Sequence, residues 1–121
     1  MASPDEEECH MAVHGLEQSL RLLIERARIV AGNLANANTP HYLRRDLPFH
    51  AVMQRVLAGE TLRGTPVETD ASGALRADGN NVSPERELAA LNETVLLYRT
   101  TVQLLAKELA LFRAAVTEGR R

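Results

Sequence analysis

The stretch GNLANANTPHYLRRDLPF, residues 32–49, decides the fold, because a helical pattern ends in it and a loop-rich chain begins. Three asparagines crowd the end of the apolar repeat: Asn33, Asn36 and Asn38. Thr39-Pro40 then stops it, since proline cannot continue a helix. Asn and Thr side chains bind the carbonyls that a helix end leaves without partners. The stretch therefore predicts a helix end from which the chain leaves at a fixed angle.

The chain before this stretch carries apolar residues spaced alternately three and four apart. This heptad spacing keeps one side of an α-helix against a partner helix. We predict an α-helix over about residues 10–37, on the order of 40 Å long. The repeating residues are Val13, Leu16, Leu20, Leu23, Ala27, Val30 and Leu34.

The same spacing returns in the last third of the chain. Ser83 can cap this helix, Pro84 suits its first position, and Glu85 favours the positive end of the dipole. We predict a helix about 50 Å long that ends near Gly119-Arg120-Arg121. Its repeating residues are Leu88, Leu91, Val95, Tyr98, Val102, Leu105, Leu109, Phe112 and Val116.

The middle of the chain differs from both ends. Residues 48–57 predict one short amphipathic helix, ended by Gly59. Residues 60–81 predict a loop with short extended pieces at 65–69 and 74–77, either mobile or ordered by a partner. The prediction is one all-α domain, in which two long terminal helices form a coiled-coil hairpin. Its parts are the first helix and its exit (1–40), a short helix with a loop-rich insert (41–82) and the last helix (83–121).

Both long helices carry more apolar side chains than an isolated hairpin can bury. A second stripe contains Leu22, Ile29, Leu97, Leu104 and Leu111. Burial of each such side chain is worth roughly 1.5–3 kcal/mol. The short middle helix could cover this stripe in a shared core, or the stripe could face neighbouring subunits. We predict the second arrangement and take these five residues as intersubunit contacts.

Composition excludes several classes of function. Of the 121 residues 25 % are charged, and the net charge of −2 gives no bulk attraction to nucleic acid. No apolar run is long enough to span a bilayer. Residues 1–8 are acidic where a cleaved secretory signal has a basic and then an apolar region. We therefore expect no membrane insertion and no export by the general secretory route.

The reactive side chains do not form a recognisable active site. Cys9, His10 and His14 have a spacing that can chelate a metal, but no fourth ligand is evident, and we predict no metal site. The Arg44-Arg45-Asp46 cluster is interpreted as a solvated turn or an interface salt bridge rather than a phosphate site. With no cofactor or nucleophile motif, the sequence makes no case for an enzyme.

Glu85 and Glu87 are the remaining acidic candidates. Both fall in the first turn of the last helix, where the positive end of the helix dipole favours carboxylates. We therefore attribute them to helix-start electrostatics rather than to acid–base catalysis.

Two segments resemble a known family. AGNLANANTPHY resembles the ANNIANANTPGY-type signature near the N-terminus of bacterial flagellar rod and hook proteins. DGNNVSPERELAALNETVLLYRTTVQLLAKELALFRAAV resembles the C-terminal segment of the proximal rod member of that family. The matching residues are Asn33, Ala35, Asn36, Thr39, Pro40 and Tyr42 in the first segment and Asp78, Gly79, Asn80, Asn81 and Val82 in the second. His41 stands where the family usually has a glycine, and histidine adopts a positive φ less readily. Leu88 stands where methionine is common.

The resemblance implies a structural subunit of the flagellar basal-body proximal rod. Such proteins are exported unfolded through the flagellar type III apparatus without a cleaved signal, and their terminal helices polymerise into an inner tube in the periplasmic space. The implied partners are copies of itself, other rod proteins and membrane-ring or export-gate components, with no nucleic acid and no small-molecule substrate. The competing interpretation from another class is a cytoplasmic coiled-coil adaptor or regulator dimer that uses the same heptads.

Overall fold

The computed structural model describes residues 4–119 of the chain. The elements, in chain order, are α1 (Pro4–Ala35), β1 (Arg45–Asp46), α2 (Phe49–Leu57), β2 (Glu68–Thr69) and α3 (Pro84–Glu118). The two long helices are antiparallel. Asn33, near the end of α1, bonds to Glu87 at the start of α3, whereas Arg26, earlier in α1, pairs with Glu93, later in α3. The predicted hairpin of long terminal helices with a short middle helix is therefore confirmed.

The helix boundaries correct the sequence prediction for α1 and confirm it for α3. The first helix covers residues 4–35 rather than 10–37, because the carboxylates of its acidic first turn favour the helix N-terminus before the apolar repeat starts. The last helix begins as predicted, with the Ser83 hydroxyl accepting from the Arg86 amide at 3.4 Å and Pro84 in the first position. The middle helix begins at Phe49, one residue after Pro48. The predicted helix end at Gly119-Arg120-Arg121 includes residues 120 and 121, which lie outside the described residues.

The two short strands correct the prediction for the insert. β1 pairs antiparallel with β2, with Arg45 opposite Thr69 and Asp46 opposite Glu68. The second strand lies within the predicted extended piece 65–69, but residues 74–77 form no strand and the first strand was not predicted. The reason is that Arg45–Asp46 has no apolar alternation, and a tertiary contact with α1 holds it extended.

The apolar core lies on one side of the hairpin, where α2 packs. Its buried members are Leu22, Leu23, Leu47, Phe49 and Val52, with Ile29, Met53, Leu62 and Leu97 partly buried against them. Leu22 has no exposed surface in this fold, and its contact with a neighbouring subunit stays a prediction. Ile29 and Leu97 are also partly buried against this core. The middle helix thus covers this part of the second stripe.

The face of α3 that packs on α1 contains only one of the two rows of the predicted heptad, of which Leu91 and Leu105 are half-buried. An inner row of polar residues points at α1: Glu87, Thr94, Thr101 and Glu108. Glu87 and Thr94 are 0 % and 1 % exposed, and the other two are half-buried. An outer row lies one residue further along the sequence. Its members are Leu88 (50 % exposed), Val95 (39 %), Val102 (41 %) and Leu109 (43 %). Since one residue turns a helix by about 100°, the apolar row lies beside the helix contact rather than in it.

The loop at residues 60–81 has several anchors within the chain. The Leu62 amide donates to the Gln18 side chain at 3.1 Å, and the Thr61 hydroxyl lies 3.2 Å from Nε2 of His14. Further along, the Asp70 amide donates to the Arg44 carbonyl at 2.8 Å. These contacts hold the start and the middle of the loop against the rest of the chain.

Candidate functional site

The two family-like segments meet in a cluster of buried polar side chains that we call the polar hub. It forms where the end of α1, the chain around β1, the residues before α3 and the start of α3 converge. The hub consists of Asn33, Arg44, Asp70, Asn80, Asn81 and Glu87. Since buried polar groups are stable only when they are hydrogen-bonded, every member needs partners here.

Asn33 joins α1 to the insert and to α3. Its Nδ2 donates to the Arg45 carbonyl at 2.8 Å and to Oε2 of Glu87 at 3.3 Å. Its Oδ1 accepts from the Arg45 amide at 2.9 Å and from the Tyr42 hydroxyl at 3.1 Å. The amide therefore makes all four bonds of which it is capable and pairs with the Arg45 backbone as a strand would.

Arg44 carries the central charge of the hub. Its side chain is only 5 % exposed, and Nε donates to Oε1 of the fully buried Glu87 at 2.7 Å. The same guanidinium donates to Oδ2 of Asp70 at 2.5 Å and to Oδ2 of Asp46 at 3.3 Å. Burial by itself lowers the pKa of Arg44, but the bonds to Glu87 and Asp70 outweigh it and raise the pKa above its usual range. Arg44 is therefore a permanent buried cation that three carboxylates neutralise.

Asn80 closes the exit from α1. Its Nδ2 donates to the carbonyls of Asn36 at 2.8 Å and Thr39 at 2.9 Å, while its Oδ1 accepts from the Val82 amide at 2.7 Å. Asn36 contributes from the other side, since its own Nδ2 donates to the Gly32 carbonyl at 2.8 Å. The asparagine side chains thus bind carbonyls of the last turn of α1 and of the exit turn, which also accept backbone amides, as the Gly32 carbonyl does from Asn36 at 3.1 Å.

Asn81 ties the insert to the approach to β1. Its Oδ1 accepts from the Arg44 amide at 2.7 Å, and its Nδ2 donates to the carbonyls of Asp70 at 2.7 Å and Ser72 at 3.3 Å. A single side chain thus fixes two chain segments that are far apart in sequence. The DGNNV segment acts through both of its asparagines.

His41 and Gly79 approach each other closely where the two segments meet. The His41 amide donates to the Asp78 carbonyl at 2.8 Å, and His41 adopts φ +62°. The positive φ that a glycine would favour is therefore retained with histidine. Gly79 has φ +80°, and a Cβ there would lie 2.6 Å from Nδ1 of His41 and 3.4 Å from its Cα. Glycine is thus required at 79 by both backbone conformation and space.

Not every candidate residue belongs to the hub. Within it or bonded to it lie Asn33, Asn36, Tyr42, Asp78, Asn80 and Asn81, with Val82 buried beside them. Ala35 and Pro40 are exposed at the exit turn, as is Thr39, whose carbonyl nevertheless accepts from Asn80. Leu104 and Leu111 are 48 % and 50 % exposed, far along α3, and remain predicted contacts of a neighbour. Among residues 4–119, no three potential metal ligands cluster, and His14 contacts Thr61.

Sequence reasoning missed the charged members of the hub. Arg44 is buried rather than part of a solvated turn, and Glu87 binds it rather than serving only the helix dipole. Asp70 was not singled out at all. One signal was present: Glu87 begins a row of polar residues with a seven-residue period beside the apolar heptad, which marks a second face of the helix.

The ionisation of Asp70 should make stability depend on acid pH. The Ser72 hydroxyl and amide, and then Arg44, lower the pKa of Asp70 from 3.8 to about 2. Because the folded pKa lies below the unfolded value, this stabilisation is complete above pH 4 and is lost as the pH falls towards 2. We expect the wild-type chain to lose about 1 kcal/mol more than Asp70→Asn over that window, after allowance for solvent screening.

Urea titrations at a series of pH values measure this difference. Ser72→Ala removes the hydroxyl, one of the three donors to the Asp70 carboxylate, so its pH-dependent loss should fall between those of the wild type and Asp70→Asn. Parallel curves for wild type and Asp70→Asn between pH 5 and 2 would contradict the assignment.

The hub fixes the arrangement of the chain segments that meet in it, because its donors and acceptors bond to one another and to the nearby backbone. The two long helices are antiparallel, and segments resembling ANANTPGY and DGNNV connect them at one end. This arrangement defines a structural hairpin protein of the flagellar rod class. No helix within residues 4–119 combines the length and apolar character needed to cross a membrane.

Known proteins support this class. The chain is 32 % identical over 120 residues to flagellar basal body rod protein FlgB of Cereibacter sphaeroides, an alignment covering 88 % of this chain and 92 % of that protein. It is 35 % identical over 86 residues to FlgB of Aquifex aeolicus, covering 63 % and 68 %, and 28 % identical over 115 residues to FlgB of Salmonella typhimurium, covering 77 % and 83 %. No family model matches the chain. The chain belongs to the FlgB family of flagellar basal body rod proteins.

Proposed function

We propose that this protein is a structural subunit of the proximal rod, which polymerises through its terminal helices as part of the axial drive shaft of the flagellum. The observation that carries the proposal is the outer row of α3. Leu88, Val95, Val102 and Leu109 stay between 39 % and 50 % exposed although α3 is already paired with α1. An apolar row of this length at the surface favours a protein contact.

A second apolar surface lies on the other side of the same helix contact. Leu104 and Leu111 are about half exposed there, beyond the end of α2. Between α1 and α3, on the outer-row side, Ile24, Ala27 and Val95 line an open groove of about 430 Å³. Different apolar surfaces on two sides of one hairpin favour head-to-tail contacts, which extend into an open helical array rather than closing as a dimer.

The partners in this proposal are copies of the chain, other rod proteins and membrane-ring or export-gate components. The subunit passes unfolded through the flagellar type III apparatus without a cleaved signal and folds at its place in the periplasm. A hub made of charged and amide groups suits such a subunit, because buried ion pairs specify an arrangement while adding little net stability. Orientation is then recovered after export without an unusually stable free fold.

A substitution on the exposed part of α3 tests the assembly role. In a strain whose own gene is replaced by the variant, Leu104→Asp should leave protein levels normal and abolish swimming in soft agar and rod formation, because it places a charge in an apolar interface. Gln103→Asp is the matched control, since it introduces the same charge one residue away, about 100° around the helix, and should swim normally. Normal swimming with Leu104→Asp would count against the proposal.

The adaptor interpretation makes a different prediction for the purified chain. A closed coiled-coil dimer keeps one size over a wide concentration range and melts sharply as a fully helical unit. Sedimentation and circular dichroism of the same sample measure both properties. Such a dimer, unaffected by Leu104→Asp, would favour the adaptor over the rod.

A further inference from the structure

The rotation of α3 about its own axis is the least expected feature of the fold. The inner row that faces α1 is Glu, Thr, Thr, Glu, and the outer row one residue further on is Leu, Val, Val, Leu. A turn of the helix by about 100° would exchange the two rows. Apolar packing is available in both arrangements, since Leu97 packs on the core in the observed one and the outer row would be buried in the other. A directional interaction is therefore needed to decide between them.

The threonines of the inner row do not supply that interaction. The Thr94 hydroxyl donates to the Ala90 carbonyl at 2.7 Å, and the Thr101 hydroxyl donates to the Leu97 carbonyl at 2.7 Å. Both bonds lie within α3 and survive any rotation of it. These side chains fit against α1 because they are small, and they need no partner on it.

Glu87 does bind across the helix contact. Its two carboxylate oxygens accept from Nε of Arg44 at 2.7 Å and from Nδ2 of Asn33 at 3.3 Å, and the residue is fully buried. Arg26 and Glu93 form an ion pair between the long helices themselves, which is 3.6 Å long and half exposed at Glu93. Solvent screens that pair, so it constrains the rotation weakly.

We propose that Glu87 is a positioning residue that sets the rotation of α3 and so keeps the outer row at the surface. A rotation of about 100° would carry its carboxylate out of the hub and leave the Arg44 cation buried with one partner fewer. The hub therefore keeps the hairpin from burying its own assembly surface. The use of that surface in assembly rests on the proposed function, whereas the rotation itself can be tested on the isolated chain.

Maleimide labelling of single cysteines measures the rotation directly. In a Cys9→Ser background, Thr94→Cys and Val95→Cys are placed in separate chains, since these neighbours are 1 % and 39 % exposed. With the hub intact, the cysteine at 95 should label at least about tenfold faster than the one at 94, because local structure protects the buried position. In the Glu87→Leu variant we expect this ratio to invert.

Conservative and matched variants separate positioning from folding. Glu87→Gln keeps the size and one acceptor oxygen, which can retain the shorter bond from Nε of Arg44, and should preserve the ratio. Glu85→Leu, the same kind of change at an exposed position of the same turn, should preserve it too. An unchanged ratio in Glu87→Leu would overturn the proposal. Labelling of both cysteines at the rate of the urea-unfolded chain would also overturn it, because the hub would then only hold the fold together.

The core contact of Leu97 is the rival cause of the observed rotation, since this residue packs against the α2 side of the core. Leu97→Ala in the same two cysteine chains tests that alternative. Inversion of the ratio with Leu97→Ala but not with Glu87→Leu would assign the rotation to apolar packing and overturn the proposal. Retention of the ratio with Leu97→Ala supports it.

Discussion

Replacement of Arg44 by methionine is expected to lower the free energy of unfolding by about 3–5 kcal/mol, the usual cost of breaking a buried ion pair. The change removes the donor to Oε1 of Glu87, which is 0 % exposed and retains only the Asn33 bond. It also leaves Asp46 and Asp70 without the cation between them. Urea unfolding followed by circular dichroism at 222 nm measures the loss.

The neighbouring arginine gives a matched control for this prediction. Arg45 lies next in the chain and its side chain is exposed, so Arg45→Met removes the same charge outside the hub. Its effect should stay within about 0.5 kcal/mol, as for other surface substitutions. Equal losses for the two variants would show that overall charge, rather than the buried pair, determines stability. If Arg44→Met unfolds in buffer, sucrose in both samples restores a measurable transition.

Replacement of Asn33 by leucine, a side chain of the same branched shape, is expected to cost about 3–4 kcal/mol. The amide and carbonyl of Arg45 lose their partner, and Glu87 loses its second donor. Each buried group left without a bond costs about 1–3 kcal/mol. The first strand, which this contact holds extended, should become mobile, and amide exchange at residues 44–46 should rise.

Asn38→Leu is the control for this change, because Asn38 belongs to the same motif but lies exposed beyond the helix end. It should leave both the unfolding free energy and the exchange at residues 44–46 unchanged. Slow exchange at β1 in Asn33→Leu would mean that pairing with β2, rather than the asparagine, holds this strand. That outcome would remove Asn33 from the hub's essential members.

Both predictions concern polar groups, because apolar packing and polar bonding lie in different parts of the molecule. The apolar core occupies the side of the hairpin covered by α2, with Leu22 and Phe49 inside it. Within residues 4–119, the end of the hairpin where the two family-like segments meet is held by amides and ion pairs. Such groups lose much of their attraction to desolvation, but they are satisfied in only one geometry. The hub therefore determines how the parts are oriented more than how stable they are.

The sequence by itself determined the elements and their order. Heptad spacing revealed both long helices, and Ser83-Pro84 located the start of α3 to the residue, because capping depends on neighbours in the chain. The asparagine-rich exit from α1 could also be predicted, since a helix end has carbonyls that nearby side chains can bind. The family resemblance rested on these same local features.

Only the tertiary structure decided which face of α3 meets α1 and which charges are buried. Periodicity shows that a helix has an apolar row, but it cannot tell whether that row is used within the chain or kept at the surface. Here Glu87 on α3 and Arg44 in the insert, 43 residues apart, turn the polar row inwards. Such a contact depends on long-range geometry that no local pattern records, because a buried charge becomes favourable only once its partner is in place.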